Sequence, residues 1–325
     1  MAEILKPDLC VIGGGSGGLS VAAGAVQMGA SVVLVEGHKM GGDCLNYGCV
    51  PSKSLIAAAR SAHAHRSSDP FGIAASTPQV NYAAAMEHVR DVIAGIEPHD
   101  SVARFEGLGV TVIEARAVFT GPRTVEADGK RIAARRFVVA TGSAPLVPPI
   151  PGLETVPFLT NETLWDLRTL PERLIIVGGG PIGLEMAQAH RRLGAEVTVL
   201  EAARALGKDD PEIAAIAIAR LRAEGVYIRE DTKATGVNGI DGDLTVTLEG
   251  GETVTGSHLL IAVGRKSNVA NMGLDAAEIE HDRRGIKVTS GMRSVSNRRV
   301  YAIGDVAGGL QFTHVAGYQA GLVIR

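Results

Sequence analysis

Ile12-Gly13-Gly14-Gly15-Ser16-Gly17-Gly18-Leu19 returns 165 positions later as Val177-Gly178-Gly179-Gly180-Pro181-Ile182-Gly183-Leu184. The register extends past the glycines: Leu19, Ala22, Gly29, Ala30, Val32 and Glu36 recur as Leu184, Ala187, Gly194, Ala195, Val197 and Glu201. Each copy reads as an apolar strand, a Gly-x-Gly-x-x-Gly turn, a helix, a second strand and an acidic residue 23 positions after the first glycine. Gly13 and Gly178 permit the tight turn, Gly15 and Gly180 let backbone approach a pyrophosphate, and Gly18 and Gly183 let the helix lie close on the sheet. The helix N-termini are suited to hold phosphates, and Glu36 and Glu201 are placed to accept hydrogen bonds from ribose hydroxyls. The expected fold is α/β: two Rossmann-like dinucleotide-binding domains, three-layered with parallel sheets, the second inserted into the first.

Composition narrows the partners. At 325 residues with 46% hydrophobic content, the chain can build two full cores. A net charge of -3 supplies no basic field for nucleic acid, and 4% aromatic content leaves few platforms for stacking bases. No secretory signal is visible at the start, so a cytoplasmic location is expected. The uncharged stretch from Leu9 to Val35 is interrupted by glycines in a strand-turn-helix pattern and reads as a buried βαβ unit, with no membrane partner expected.

Just after the first copy stands Gly41-Gly42-Asp43-Cys44-Leu45-Asn46-Tyr47-Gly48-Cys49-Val50-Pro51-Ser52-Lys53. With only 3 cysteines the chain has no disulfide framework, and a spaced pair in such a setting reads as redox-active. A helix beginning near Pro51 would aim its positive end at Cys49 and lower that thiol's pKa. Cys10, within the first apolar strand, reads as an inert buried thiol. His63 and His65 lack Cys or Glu partners at ligand spacing, so no metal site is expected and both read as surface histidines.

Between the copies, Tyr82 to Glu106 has helical apolar spacing, Val110 to Phe119 and Arg136 to Ala140 read as strands, and Asp128-Gly129 marks a hairpin. The prolines at 145, 148, 149 and 151 read as a connector. Leu259 to Gly264 is a further buried strand, with return to the first domain near Asn271. The expected domains are 1–151 and 272–325 for the first nucleotide, and 152–271 for the second.

These residues resemble the pyridine nucleotide-disulfide oxidoreductases, the group that contains dihydrolipoamide dehydrogenase and mercuric reductase. Gly41 to Lys53 looks like that family's flavin-proximal disulfide motif, with Asp43 where threonine is more usual. Ala140-Thr141-Gly142 and Val263-Gly264-Arg265 resemble its chain-crossing motifs, and Tyr301-Ala302-Ile303-Gly304-Asp305 its second flavin motif. The resemblance implies an FAD-binding domain and an NAD(P)-binding domain. It makes Cys49 the thiol facing the flavin ring and Cys44 the interchange thiol that meets substrate. Lys53 is implied near the flavin N5 edge, paired with Glu185; Asp305 would bond a ribityl hydroxyl. Gly42, Thr141, Gly142 and Gly264 fall within the cofactor-binding motifs. His314 matches the flavin-facing segment, as a cofactor contact or a packing residue.

The implied activity is that of an FAD-dependent oxidoreductase relaying two electrons between NAD(H) and a substrate through a Cys44–Cys49 disulfide. The substrate would be a small or protein-bound disulfide or dithiol, or a metal ion such as mercuric ion. Glu201 favours NAD over NADP by its charge, against which Arg204 acts. A flavin-only NADH oxidase or quinone reductase, and a flavin redox sensor without turnover, are the alternatives. Family members continue into an interface domain that forms a homodimer and supplies a histidine-glutamate pair. Because Gly321-Leu322-Val323-Ile324-Arg325 stops in mid-pattern, the chain is expected to be a piece lacking that domain.

Overall fold

Strand alternation places the first core. In a computed structural model that describes residues 4–325, Cys10, Ile12, Val33 and Val35 share one face of a sheet, while Val11, Val32 and Leu34 share the other. That sheet is parallel, in the order Val300–Ala302, Arg136–Val139, Leu9–Ile12, Val32–Glu36, Thr111–Glu114. One face is covered by helices Ser16–Gln27, Val102–Gly107 and Thr313–Ile324. The opposite face carries a second sheet, ordered Ile4–Leu5, Lys130–Ile132, Thr124–Ala127, Val118–Gly121. Between the two sheets Phe119 meets Phe137 edge-on at 5.4 Å, a contact adding about 0.5–1.5 kcal/mol beyond the area it buries. These elements form one compact unit: the described residues to Asn46, Ile93–Ala144 and Arg265–Arg325.

The hairpin expected at Asp128-Gly129 is present, with both residues at positive φ (49° and 67°), the geometry of a tight I′-like connection. The helix expected from Tyr82 to Glu106 is instead broken. It runs as Tyr82–Ile96, a 3-10 turn Glu97–His99 and a short helix Val102–Gly107. Pro98 has no N–H to continue the ladder, and Ser101 restarts the chain by accepting from Arg104 N at 3.2 Å.

The second unit comprises Tyr47–Val92 and Pro145–Gly264. Its parallel sheet runs Val226–Arg229, Glu196–Leu200, Arg173–Val177, His258–Ile261. Ile175, Val177, Leu200, Leu259 and Ile261 pack against Val237, Leu244, Val246 and Leu248 of an antiparallel three-stranded sheet. Helices Pro181–Leu193 and Pro211–Ala223 pack on the parallel sheet, and Cys49–Arg66 packs along Pro181–Leu193. In both units the layer opposite the helices is made of strands. The unit boundaries fall at Asn46, Val92, Ala144 and Gly264, so residues 47–92 group with the second nucleotide repeat.

A buried polar pair sits within this unit. His190, wholly buried, faces the Met186 carbonyl through Nδ1 at 2.8 Å, and its Nε2 faces the Tyr82 hydroxyl at 3.1 Å. Burial holds His190 down to about 4, against the pull of the Met186 carbonyl and with a smaller push from His258. The folded value lies below the ordinary 6.5, so the neutral ring's contribution is intact above 6.5 and drains as pH falls toward 4, at up to about 1.4 kcal/mol per pH unit. Urea midpoints measured at pH 7 and pH 5 should therefore differ, and the gap should narrow in His190→Gln, whose amide can still face Tyr82. An unchanged gap would place the acid sensitivity elsewhere.

Candidate functional site

The two glycine loops share the same turn geometry and the same close approaches at their first and last glycines. Gly13 (φ 110°) and Gly178 (φ 118°) make the turn, and a Cβ on either would stand 2.3 Å from the Ala140 or Ala262 carbonyl oxygen. A Cβ on Gly18 would stand 1.8 Å from Gly13 O, and one on Gly183 2.1 Å from Gly178 O. No other residue fits those four positions. Gly15 and Gly180 precede their helices as N-caps with no side chain capping the first amides. Around a Cβ on Gly180 nothing lies within 4 Å. Uncapped amides at a helix start, beneath a loop without side chains, fit the diphosphate of a dinucleotide.

The acidic residues do more than the sequence implied. Glu36 accepts from Gly14 N at 2.5 Å and from His38 N at 2.6 Å; Glu201 accepts from Gly179 N at 2.7 Å and from Ala203 N at 2.9 Å. Each carboxylate thus latches its own glycine loop to the end of the second strand. A carboxylate offers about four lone-pair sites, so bonding to a ribose remains compatible with this latch.

In the first unit, the loop at Gly41-Gly42 touches the glycine turn directly. Gly15 and Gly41 form an isolated bridge, and a Cβ on Gly42 (φ 60°) would stand 2.6 Å from Gly15 Cα. That contact seats the short helix Gly42–Asn46, and with it half-buried Cys44, beside the first glycine loop. Arg265, only 11% exposed, ties the same helix through Ser143 to Asp305. It donates to Asp43 Oδ1 (2.9 Å), Ser143 Oγ (2.7 Å) and Ser143 O (2.9 Å), and Ser143 Oγ donates to Asp305 Oδ2 at 2.5 Å. Thr141 and Asn268 clasp each other by reciprocal bonds of 3.0 and 2.9 Å, fixing the neighbouring Gly142 turn (φ 66°). Sequence reasoning singled out Asp43 as a departure but missed its partner. No sequence signal joined the two, because they lie 222 residues apart and a charged side chain has no local preference for its partner. His314 is exposed at the start of helix Thr313–Ile324, stacked on Phe312 at 5.4 Å.

In the second unit, helix Cys49–Arg66 begins at Cys49 itself, two residues before Pro51, so the exposed thiol occupies the first helical position. One turn on, Lys53 Nζ pairs with Glu185 Oε2 at 2.7 Å; the side chains are 62% and 41% exposed. Gly264 (φ 128°) accepts from Leu146 N at 2.9 Å. Cys10, wholly buried in the first unit, has its thiol pushed up to about 12 by burial, in keeping with an inert role. His63 is not a surface histidine: it lies half-buried, its Nε2 4.0 Å from Glu224 Oε1, whereas His65 is exposed. Among the described residues no three His, Cys, Asp or Glu side chains converge as metal ligands, and no helix is long and apolar enough to cross a membrane.

Comparison with known proteins agrees with this geometry. The family described as "Pyridine nucleotide-disulphide oxidoreductase" matches residues 7–320. A mercuric reductase of Shigella flexneri is 38% identical over 325 residues, an alignment covering 95% of this chain and 56% of the relative. A dihydrolipoyl dehydrogenase of Thermus scotoductus is 37% identical over 313 residues, covering 92% of this chain and 66% of the relative. The chain thus spans roughly half to two thirds of the length of these relatives. Among solved structures, the Cu(II) complex of the HOCl-induced flavoprotein disulfide reductase RclA from Escherichia coli superposes with a TM-score of 0.87 at 28% identity, over 97% of this chain and 69% of that one. Proteins of this kind use FAD and NAD(P)H. With its duplicated latch, its paired cysteines and a match across nearly its whole length, the chain belongs to the pyridine nucleotide-disulphide oxidoreductases.

Proposed function

We propose that this chain is the nucleotide- and disulfide-bearing part of an FAD-dependent oxidoreductase that passes two electrons between NAD(H) and a disulfide, dithiol or metal-ion substrate through Cys44 and Cys49. The observation that carries the reading is the Cys44–Cys49 segment itself. It is seated by Gly42 on the first of two matched phosphate loops and opens a helix at Cys49. FAD would lie along Gly13, Gly15, Gly18, Glu36, Gly42, Thr141, Gly142 and Asp305, with Lys53 and His314 toward its ring, and NAD along Gly178, Gly180, Gly183, Glu201 and Gly264. Bound flavin supplies the hydride chemistry that joins NADH to the thiols.

The protein's own residues then do the exchange. With both thiols reduced, the Cys44 thiolate attacks one sulfur of a substrate disulfide, the substrate bond breaks, and one substrate thiol leaves with a proton. Cys49 next attacks the Cys44 sulfur of the mixed disulfide, restoring Cys44–Cys49 and releasing the second thiol. The helix N-terminus at Cys49 and the Lys53 ammonium one turn on favour the thiolate required for that attack. Glu185 holds Lys53 in place. In the reverse direction the same groups oxidise a dithiol. Turnover of lipoamide, glutathione disulfide and mercuric ion by one preparation, assayed side by side, identifies the substrate class; failure of NADH to reduce the Cys44–Cys49 disulfide of the FAD-loaded protein at all would overturn the relay.

The nucleotide preference follows from Glu201. Its carboxylate is locked at the end of strand Glu196–Leu200 by Gly179 N and Ala203 N, beside the expected ribose. A 2′-phosphate there meets a fixed like charge, so kcat/KM for NADH should exceed that for NADPH by about tenfold or more. Equal or better use of NADPH would show that exposed Arg204 overrides the carboxylate.

A further inference from the structure

A second charged site lies within the second unit, away from both glycine loops in sequence. Glu224, its side chain 5% exposed, is gripped by Arg192 (Nε to Oε2 2.7 Å, a terminal nitrogen to Oε1 2.9 Å) and by Arg220 (Nε to Oε1 2.9 Å). Gln188 donates to the same carboxylate at 3.2 Å. Beside this knot is a cavity of about 260 Å³ lined by His63, Arg66, Arg191, Arg192, Gly194 and Glu224. Three guanidiniums line it, a fourth shares Glu224, and Glu224 is the only carboxylate in its wall.

From this surplus of positive charge around a cavity, we infer that the second unit has an anion site that takes a phosphate-type oxyanion, bound by Arg66 and Arg191 with Arg192 behind them. The arginines have a structural task as well. Arg66 donates to the Arg192 carbonyl at 2.5 Å, and Arg191 donates to the carbonyls of Glu224 (3.2 Å) and Ala195 (3.1 Å), which satisfies carbonyls at the C-terminal ends of helices Pro181–Leu193 and Pro211–Ala223. Capping leaves donors over: Arg66 and Arg191 direct three hydrogen bonds to those carbonyls, and each guanidinium carries five N–H groups in a planar fork suited to bidentate oxyanion binding. Nor does Glu224 balance it, being already engaged by two of the four cations. The cavity has room for a tetrahedral anion with water. His63 reports the same field: burial, then the charges of Arg192, Arg220 and Arg66, hold its ring below the ordinary value against the pull of Glu224.

The groups facing His63 are Glu224, Arg192, Arg220 and Arg66, so an anion bound among them should favour the imidazolium. The test uses protein with FAD bound and NAD+ in excess, which keeps the glycine loops filled. Histidine resonances are followed by NMR as inorganic phosphate, sulfate or AMP is added, against sodium chloride at matched ionic strength, with His63→Gln assigning the signal. Phosphate and sulfate should shift the His63 resonance saturably and raise its pKa, and Arg66→Gln/Arg191→Gln should weaken the apparent affinity about tenfold or more. Tighter binding of AMP than of phosphate would identify a nucleotide's phosphate ester as the ligand; tighter binding of phosphate would identify the free ion. Arg192 is left intact because its loss would strand the buried Glu224 carboxylate. Should the double variant fail to fold, the wild-type titration still decides. Absence of a saturable His63 response, an equal response to chloride, or unchanged affinity in a folded double variant would overturn the site.

Discussion

Cys49→Ser should lower NADH-driven disulfide turnover by roughly a thousandfold or more, while NADH oxidation by an artificial electron acceptor continues. The size reflects the loss of a nucleophile that no neighbouring group replaces. A serine at the first position of helix Cys49–Arg66 keeps the backbone start but presents a hydroxyl that does not ionise near neutral pH. The same change should abolish the long-wavelength absorption that a Cys49 thiolate beside oxidised flavin produces on two-electron reduction. Cys44→Ser should lose turnover to a similar extent yet retain a thiolate band, since Cys49, the thiol proposed to face the flavin, is untouched. Rapid-scanning spectra with parallel turnover assays separate the two thiols. Disulfide turnover that survives both replacements would mean that the flavin acts alone and that the relay does not exist.

Gly183→Ala is expected to be among the most damaging single-methyl additions to the second unit. Its Cβ would stand 2.1 Å from the Gly178 carbonyl oxygen, backbone against backbone, so the helix Pro181–Leu193 must lift off its loop. A loss of about 3 kcal/mol or more follows, with NAD binding lost alongside it. Gly180→Ala is the control. Gly180 has φ -78° and ψ 177°, ordinary extended backbone, and no atom lies within 4 Å of the added methyl. It should melt close to wild type yet bind NAD more weakly, because the methyl enters the space through which the diphosphate approaches. Thermal melts and nucleotide titrations of both variants check the pair. Similar stability of the two would show that the helix can move off its loop without cost.

The parts of the fold that were legible share a property: their geometry is set within a few residues. Glycines at positive φ, a strand's alternation between two faces, and Asp128-Gly129 between apolar runs all depend on local backbone sterics. The 165-residue repeat placed Glu36 and Glu201 at matching positions as ribose acceptors, but that each carboxylate holds its own glycine loop came from the structure. Less was legible where local propensity was divided. Apolar spacing from Tyr82 to Glu106 favoured one helix, and a single missing N–H at Pro98 broke it. The helix at Cys49 likewise began two residues earlier than proline's preference for the first position suggested.

The sequence by itself determined that the chain is a duplicated dinucleotide-binding α/β protein with a cysteine pair next to its first loop, since these features lie in contiguous motifs. Apart from Lys53–Glu185, which the family resemblance implied, only the tertiary structure decided which charges meet. Arg265 reaches Asp43 across 222 residues of chain, and Arg66 reaches the Arg192 carbonyl across 126. It also turned His63 from a surface residue into a neighbour of the buried Glu224. The physical reason is that a charged side chain carries no local preference for its partner. Ion pairs are chosen when strand order and helix packing bring distant segments to within a few ångströms, and burial then makes an unmatched charge costly.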